Sequence, residues 1–297
     1  MTLDQLANGA TLALVSLGGD KPLAREMQKR LGEIGLLDPP VDGAFGPVSH
    51  WALSAFRKSA GLGETPLLDR TLAEALLAAT AQSLFPILPV ASLAGSVVTA
   101  MTERNHWLCR HPTALNIVYV EGVNADGKPN GNRPNAFNDM RLLIRFREDG
   151  QPELAGAWEG TSEPGRYYVE IQPLDPRGAA RIALGQFKAW SVGTHGGSAP
   201  HEALVQTAAI TVHRDLNQDY QRADDQTHVG LFGINQHWGF DMARGNIGKA
   251  SAGCLVGRTK AGHREFMALC KNDARYAASK GYRFVTTVLP AQALALG

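Results

Sequence analysis

The apolar positions in the first 80 residues recur at helical spacing. This spacing predicts an amphipathic helix with an inward face of Leu23, Met27, Leu31 and Ile34. A turn with two glycines is expected at 41–46, and a second helix follows with Trp51, Ala52, Ala55 and Phe56 inward. A third helix is expected to begin at the capping-box sequence 71–74. The pattern predicts a compact unit of three helices.

The stretch from Ala75 to Thr102 has no charged residue, so its length alone could cross a bilayer. Pro86, Pro89 and Gln82 interrupt it, and a membrane helix rarely tolerates that combination. We therefore expect the end of one helix, a linker with prolines and then a buried helix. No membrane span is predicted.

From about Ala114 onward, the pattern changes to short runs rich in β-branched and apolar residues. The predicted strands are 115–120, 140–146, 167–171, 208–212 and 283–289, with a turn at 148–150. A single helix is expected over 260–276. The expected fold class is α+β, with a small three-helix unit followed by a β-rich domain.

Composition and charge narrow the function classes. Hydrophobic residues make up 44% of the chain, which is enough for a sizeable core and excludes global disorder. The formal net charge is only +1, so a nucleic-acid partner is not expected. The short apolar stretch 11–17 is preceded by Asp4 and by no Lys or Arg. We therefore expect no signal peptide there.

Two short motifs carry the strongest chemical signal. One is Gly-Ile-Asn-Gln-His-Trp-Gly at 233–239, and the other is Ser-Ala-Gly-Cys at 251–254. A glycine before the cysteine allows a tight turn that can aim backbone N–H groups at one point, as an oxyanion hole requires. A thiol needs a nearby base to become a strong nucleophile, and His237 is the best candidate for that partner of Cys254.

Other residues allow weaker alternatives. Cys109 followed by His195 or His213 would give a peptidase with the cysteine first in sequence, but Cys109 lacks a small-residue turn. A zinc peptidase could use His195, His213 and Asp215, although no compact ligand motif occurs. The segment 215–225 begins like a calcium loop. Because Tyr220 and Gln226 break that pattern, we expect no strong calcium site, and no cofactor or metal is predicted.

The N-terminal motif resembles a known family. The Asp-Gly-Ala-Phe-Gly turn at 42–46 and its flanking helical positions over residues 20–80 are similar to the three-helix peptidoglycan-binding domain that accompanies many cell-wall enzymes. Arg57 stands where that family usually has Gln. The resemblance implies peptidoglycan as the partner, with Asp42 and Phe45 of the turn on the binding side.

The C-terminal motifs resemble the L,D-transpeptidase catalytic domain of the YkuD family, over about 115–290. That family places a base His upstream of Ser/Thr-His-Gly-Cys on a β-rich fold, and the segment 157–168 is similar to its Thr-Pro-x-Gly-x-aromatic hairpin. Here Ala252 replaces the motif histidine, and the arginine usual just after the cysteine is missing.

The resemblance implies a role for each matched residue. Cys254 would be the nucleophile and His237 the base, and the carbonyl of Trp238 would orient His237. The amides of Gly253 and Cys254 would form the oxyanion hole beside Ser251. The residues expected on the substrate side are Asn235, Gly239 and Arg258.

These observations predict a two-domain cell-wall enzyme. We expect a peptidoglycan-binding domain at 1–82, a linker and connecting helix at 83–113, and a YkuD-like catalytic domain at 114–297. The enzyme would attack stem peptides through a thioester and pass the acyl group to an amine (transpeptidase) or to water (carboxypeptidase or endopeptidase). We expect it to act in the periplasm or cell wall. A lytic role is favoured, after release by phage lysis or a dedicated export machine. A non-catalytic wall-binding protein is the main rival.

Overall fold

The computed structural model describes residues 1–197 and 199–294. The predicted helices of the N-terminal unit are confirmed, and a short additional helix precedes them. The helices are α1 (Leu3–Ala7), α2 (Lys21–Glu33), α3 (Pro47–Ser59) and α4 (Arg70–Ala78). A 3-10 turn spans Leu14–Gly19, and β1 (Leu12–Ala13) pairs antiparallel with β2 (Leu67–Leu68).

The N-terminal unit has its own apolar core. The expected inward residues of α2 are buried, and they pack with Leu6, Ala52, Phe56 and Leu72 from the other helices. The capping box expected at 71–74 is wrong, because Asp69 caps α4 by accepting the N–H of Leu72. Arg57, which stands where the resembled family usually has Gln, has a structural role. Its buried guanidinium donates to the carbonyls of Thr65 and Leu67.

The uncharged stretch contains the end of α4, a connection with prolines and α6 (Leu93–Glu103), as predicted, and a short helix that was not predicted, α5 (Ala81–Leu84). The inner face of α6 carries Val97, Val98 and Met101, which pack on Val118 and Ile144 of the sheet. In the part of the chain that the structure describes, no helix combines the length and apolar character needed to cross a membrane.

The C-terminal part is built on a closed barrel whose strands adjoin in the order β11-β12-β5-β4-β3-β13-β7-β8. These strands are β3 (Asn116–Glu121), β4 (Asp139–Phe146), β5 (Pro152–Thr161), β7 (Gly185–His195), β8 (His201–Gln206), β11 (Gln236–Trp238), β12 (Leu255–Gly257) and β13 (Phe284–Pro290). A separate antiparallel sheet contains β6 (Ala179–Ile182), β9 (Ile210–Asp215) and β10 (Gln226–Gly230). The expected α+β class is confirmed.

Two predicted elements of this part are wrong. Residues 167–171 form a π-helical turn instead of a strand, because the N–H of Gln172 donates to the carbonyl of Tyr167 and the amides of Tyr168 and Val169 donate to that of Gly165. The helix expected over 260–276 is two helices, α7 (Lys260–Lys271) and α8 (Ala274–Ala278). Asp273 separates them, since its carboxylate caps α8 and accepts the N–H of Leu115.

The helical unit and the barrel meet through a buried charge cluster. Asp38, from the segment after α2, is 2% exposed and lies 2.5 Å from Nζ of Lys188 and 3.6 Å from Nη1 of Arg275. The hydroxyl of Tyr282 donates to the same carboxylate over 3.1 Å. A carboxylate this buried requires partners, so these contacts fix the helical unit against the barrel.

Candidate active site

The two chemical motifs meet because β11 and β12 are adjacent parallel strands. Gln236 is paired with Leu255 and His237 with Val256, and Cys254, which directly precedes β12, lines the same cavity as His237. Gly253 has a φ of +130°, and a Cβ there would lie 2.5 Å from the carbonyl oxygen of Ala180. Only glycine suits this turn, as the sequence motif indicated.

Ser251 closes the turn with two hydrogen bonds. Its hydroxyl donates to the carbonyl of Cys254 over 2.9 Å and accepts the N–H of Gly253 over 3.1 Å. The Gly253 amide is therefore committed within the turn, which corrects its expected place in an oxyanion hole. Among residues 1–197 and 199–294, nothing accepts the Cys254 N–H, so that amide keeps a free donor.

The Cys254 thiol is partly exposed and has two backbone neighbours. The N–H of Asn235 donates to Sγ over 3.4 Å, and the thiol donates to the carbonyl of Gly233 over 3.6 Å. Burial raises the pKa of Cys254 to about 11, and the Asn235 N–H opposes that rise. The Cys254 thiol is therefore protonated at neutral pH.

A hydrogen bond to the backbone fixes the tautomer of His237. Its Nδ1 lies 2.7 Å from the Trp238 carbonyl oxygen, and because a carbonyl only accepts, Nδ1 carries the proton and Nε2 a lone pair. The imidazole is 2% exposed. Burial, with His195 nearby, lowers the pKa of His237 to about 3, so the ring is neutral at pH 7. The contact with Trp238 is the one that the family resemblance implied.

Two stacked ring pairs lie at His237 and its neighbour Trp238. The imidazole of His195, at the end of β7, is nearly parallel to that of His237 with centroids 4.0 Å apart. His201 stacks on the indole of Trp238 at 3.8 Å. The side-chain amide of Asn235 lies 2.8 Å from Nδ1 of His195. Sequence reasoning missed this use of His195. The available signal was a histidine at a strand end, directly before two glycines.

Cys254, His237 and His195 line one cavity of about 420 Å³. Its wall also contains apolar and aromatic side chains, and its charged members are Asp175, Arg214 and Lys249. Arg177 holds the pKa of Asp175 well below its usual range, so this carboxylate is ionised. The cavity offers a thiol, a neutral base and charges of both signs, which suits an amide with polar substituents.

The residues expected on the substrate side have other partners. Arg258 is held by the carboxylate of Glu159 at 2.6 Å and does not line the cavity. Gly239 packs under Phe137, where a Cβ would lie 2.9 Å from the ring. The side chain of Asn235 contacts protein groups at both ends. None of these three residues is among those that line the cavity.

The turn of the N-terminal unit lies away from this cavity. The carboxylate of Asp42 accepts the side-chain amide of Gln28 and the N–H of Ala44. Asp42 lines a second cavity of about 260 Å³, which also contacts Lys188 and Arg283. Phe45 is buried and meets the ring of His50 edge-on, so its role in the structure is packing.

The thiol of Cys109, the alternative candidate for a nucleophile, is buried. Cys109 is 0% exposed, and burial raises the pKa of its thiol to about 11. Cys270 is also 0% exposed, on the buried face of α7. Neither cysteine lines the cavity.

The metal alternatives concern His195, His213 and Asp215 for zinc and the loop 215–225 for calcium. In the described ranges 1–197 and 199–294, no three His, Cys, Asp or Glu side chains form a group that could hold a metal ion. In the loop expected to resemble a calcium site, the carboxylate of Asp215 accepts the N–H groups of Asp219 and Tyr220.

Comparisons with known proteins identify the N-terminal unit. Residues 20–76 match the family described as "Putative peptidoglycan binding domain". The chain therefore carries an N-terminal peptidoglycan-binding domain, which points to an association with the cell wall. No curated protein matches the chain.

One solved structure is similar over 94% of this chain and 99% of its own, at 12% identity and a TM-score of 0.29. Its title is "Crystal structure of Fused Zn-dependent amidase/peptidase/peptodoglycan-binding domain-containing protein from Clostridium acetobutylicum ATCC 824". At that TM-score the likeness carries no argument about fold or activity.

Proposed function

We propose that this protein is a peptidoglycan-acting cysteine acyltransferase of the L,D-transpeptidase type. The observation that carries the proposal is the position of Cys254 beside His237 in one cavity, with Nδ1 of His237 bonded to the Trp238 carbonyl. The N-terminal peptidoglycan-binding domain supports the substrate class. The proposed division is a wall-binding domain at 1–82, a connection at 83–113 and a catalytic domain at 114–297.

The proposed reaction begins from a neutral pair. Sγ of Cys254 attacks the carbonyl carbon of a stem-peptide amide while its proton moves to Nε2 of His237. The negative charge formed on the carbonyl oxygen is stabilised by hydrogen-bond donors, of which the Cys254 N–H is one. The C–N bond then breaks, the imidazolium returns its proton to the leaving amine, and a thioester remains.

The thioester is then resolved by an acceptor. An amine of a second stem peptide would give a cross-link, and water would give a shortened or cleaved peptide. In either case neutral His237 accepts the acceptor's proton and returns it to the departing thiolate. We place the reaction in the periplasm or cell wall, and propose a lytic role when water is the acceptor.

Mass spectrometry tests the reaction directly. The protein is incubated with purified muropeptides, and both the muropeptides and the intact protein are weighed. We expect new muropeptide masses and an adduct on the protein that is absent from Cys254→Ala. A reaction that stops with a chelator, resumes with Zn²⁺ and persists in Cys254→Ala would instead establish a zinc peptidase. Unchanged muropeptides with protein retained on sacculi would identify a non-catalytic wall-binding protein.

A further inference from the structure

The tautomer of His195 is fixed by its surroundings. The backbone N–H of Gln206 donates to Oδ1 of Asn235 over 2.8 Å, which determines which end of that amide is oxygen. Nδ2 of Asn235 therefore faces Nδ1 of His195 at 2.8 Å and donates to it. Because Nδ1 accepts, the proton of neutral His195 is on Nε2.

The same contacts keep His195 neutral. A second proton on Nδ1 would face the N–H of Asn235, whose amide cannot turn over without losing the bond to Gln206. His237 is stacked at 4.0 Å, so two imidazolium rings would repel each other strongly during the reaction. The other titratable groups around His195 are His201, His263, Cys254, Tyr168, Asp175, Arg214 and Lys249. Burial, followed by His201, lowers the pKa of His195.

The Nε2–H of His195 has no protein acceptor within residues 1–197 and 199–294, and its ring lines the cavity beside Cys254. The Gly253 amide is committed to Ser251, so the turn supplies fewer backbone donors than its sequence predicted. The two stacked rings are thus complementary, with a lone pair on Nε2 of His237 and a proton on Nε2 of His195.

We propose that His195 is a catalytic residue that donates a hydrogen bond from Nε2 to an oxygen of the stem peptide, held in that tautomer by Asn235. This inference rests on the proposed function. No proton leaves His195, because His237 carries the proton transfers. The substrate oxygen is either the reacting carbonyl, which becomes the oxyanion, or a carboxylate at the end of the peptide.

His195→Phe tests the donor while keeping a ring stacked on His237. We expect kcat/KM on muropeptides to fall roughly 10²–10³-fold, as when one oxyanion donor is removed. A fall in kcat alone identifies the reacting carbonyl, and a rise in KM alone identifies a carboxylate. His228→Phe, on β10 and outside the cavity lining, is the matched control. Alkylation of Cys254 by iodoacetamide should stay within about threefold of wild type, since His237 serves the thiol.

Asn235→Asp tests the positioning. The new carboxylate would accept from Nδ1 of His195 and move the proton away from Nε2, with little change in shape. We expect ¹⁵N NMR to show the Nε2–H tautomer in the wild type and an Nδ1-protonated ring in the variant, together with a loss of activity like that of His195→Phe. The inference would be overturned if His195 of the wild type carried its proton on Nδ1, or if His195→Phe kept full activity. If His195→Phe is fully active and Cys254→Ala is inactive, the proposed function still stands. Full activity in Cys254→Ala removes that function and this inference with it.

Discussion

At the scale of single residues, Cys254 and His237 do not form an ion pair with each other at rest. The pKa of Cys254 is raised and that of His237 is lowered, so thiol and imidazole are both neutral at pH 7. In the proposed reaction, such a neutral pair transfers its proton only when the thiol attacks, and this requires His237 to hold its lone pair towards the cavity. The carbonyl of Trp238 provides that orientation.

The first prediction concerns the nucleophile. Cys254→Ser should abolish turnover and preserve the fold, because a hydroxyl is a far poorer nucleophile and can still accept the N–H of Asn235. His237→Ala should lower the rate about 10²–10⁴-fold, the range for a general acid–base group. Release of peptide or D-alanine from muropeptides measures activity, and circular dichroism measures folding. Cys109→Ser is the control and should mainly lower stability, since Cys109 is buried. A folded, fully active Cys254→Ser protein would rule out the thioester.

The second prediction concerns pH. Burial lowers the pKa of His263 to about 3, against 6.5 for an ordinary histidine. The unfolded chain therefore binds a proton between these values that the folded protein does not, and stability is lost as pH falls from 6.5 towards 3. We expect the wild type to lose about 1.4 kcal/mol more per pH unit than His263→Gln over this interval.

Urea unfolding at several pH values gives this difference directly. The comparison must be with a variant, since burial raises the pKa of Asp139 to about 7 and of Glu163 to about 8. These acids destabilise the fold as pH rises, which opposes the histidines. Parallel curves for wild type and His263→Gln would contradict the prediction.

At the scale of elements, the site depends on one strand pairing. His237 and Cys254 are 17 positions apart in sequence, and the parallel pairing of β11 with β12 places them together. The sequence predicted the pair through the Gly-Cys turn. It did not predict the strands themselves, because three-residue strands are too short to show alternation.

Other elements show where sequence patterns succeed. The N-terminal helices were predictable because each buries one face, so their apolar spacing is visible in the chain. The run at 167–171 looked like a strand by composition, but hydrogen bonds to the carbonyls of Tyr167 and Gly165 make it helical. The proposed role of His195 could not be predicted from the sequence, because it depends on contacts with Asn235 and Gln206 that form only in the tertiary structure.

The third prediction concerns the Gly-Cys turn. Gly253→Ala should destabilise the protein by about 1–3 kcal/mol, since φ is +130° and the new Cβ would press on the Ala180 carbonyl. Activity should fall as well, because Cys254 would move with the turn. Gly63→Ala is the matched control, with ordinary φ and nothing within 4 Å of the added Cβ. Thermal unfolding measures both variants, and equal melting temperatures would show that the turn tolerates a side chain.

At the scale of the whole molecule, the wall-binding domain is joined to the barrel through buried charge. Asp38 contacts Lys188, Arg275 and Tyr282 of the barrel part. The backbone N–H of Arg110 also donates to the carbonyl of Gly35, and Nε1 of Trp107 to that of Gly32. These contacts favour one fixed arrangement over two units on a free linker.

The fourth prediction tests that junction. Asp38→Ala should cost about 1–3 kcal/mol, because Lys188 and the Tyr282 hydroxyl lose their acceptor while Arg275 keeps Asp273. Lys188→Met should cost less, since Lys188 is 26% exposed and Arg275 and Tyr282 still serve Asp38. Chemical denaturation of both variants gives the comparison. A larger loss for Lys188→Met than for Asp38→Ala would contradict this account of the junction.

The fifth prediction concerns the sacculus. The apolar core of the N-terminal unit is formed by its own residues from Leu3 to Leu76, so a fragment of residues 1–82 should fold alone. With its family match at 20–76, this fragment should sediment with purified sacculi. Because tethering raises the local substrate concentration, the full chain should gain more on intact sacculi than on soluble muropeptides. Excess fragment should therefore compete away activity on sacculi and leave activity on muropeptides unchanged. A folded fragment that stays entirely in the supernatant would place wall binding elsewhere in the chain.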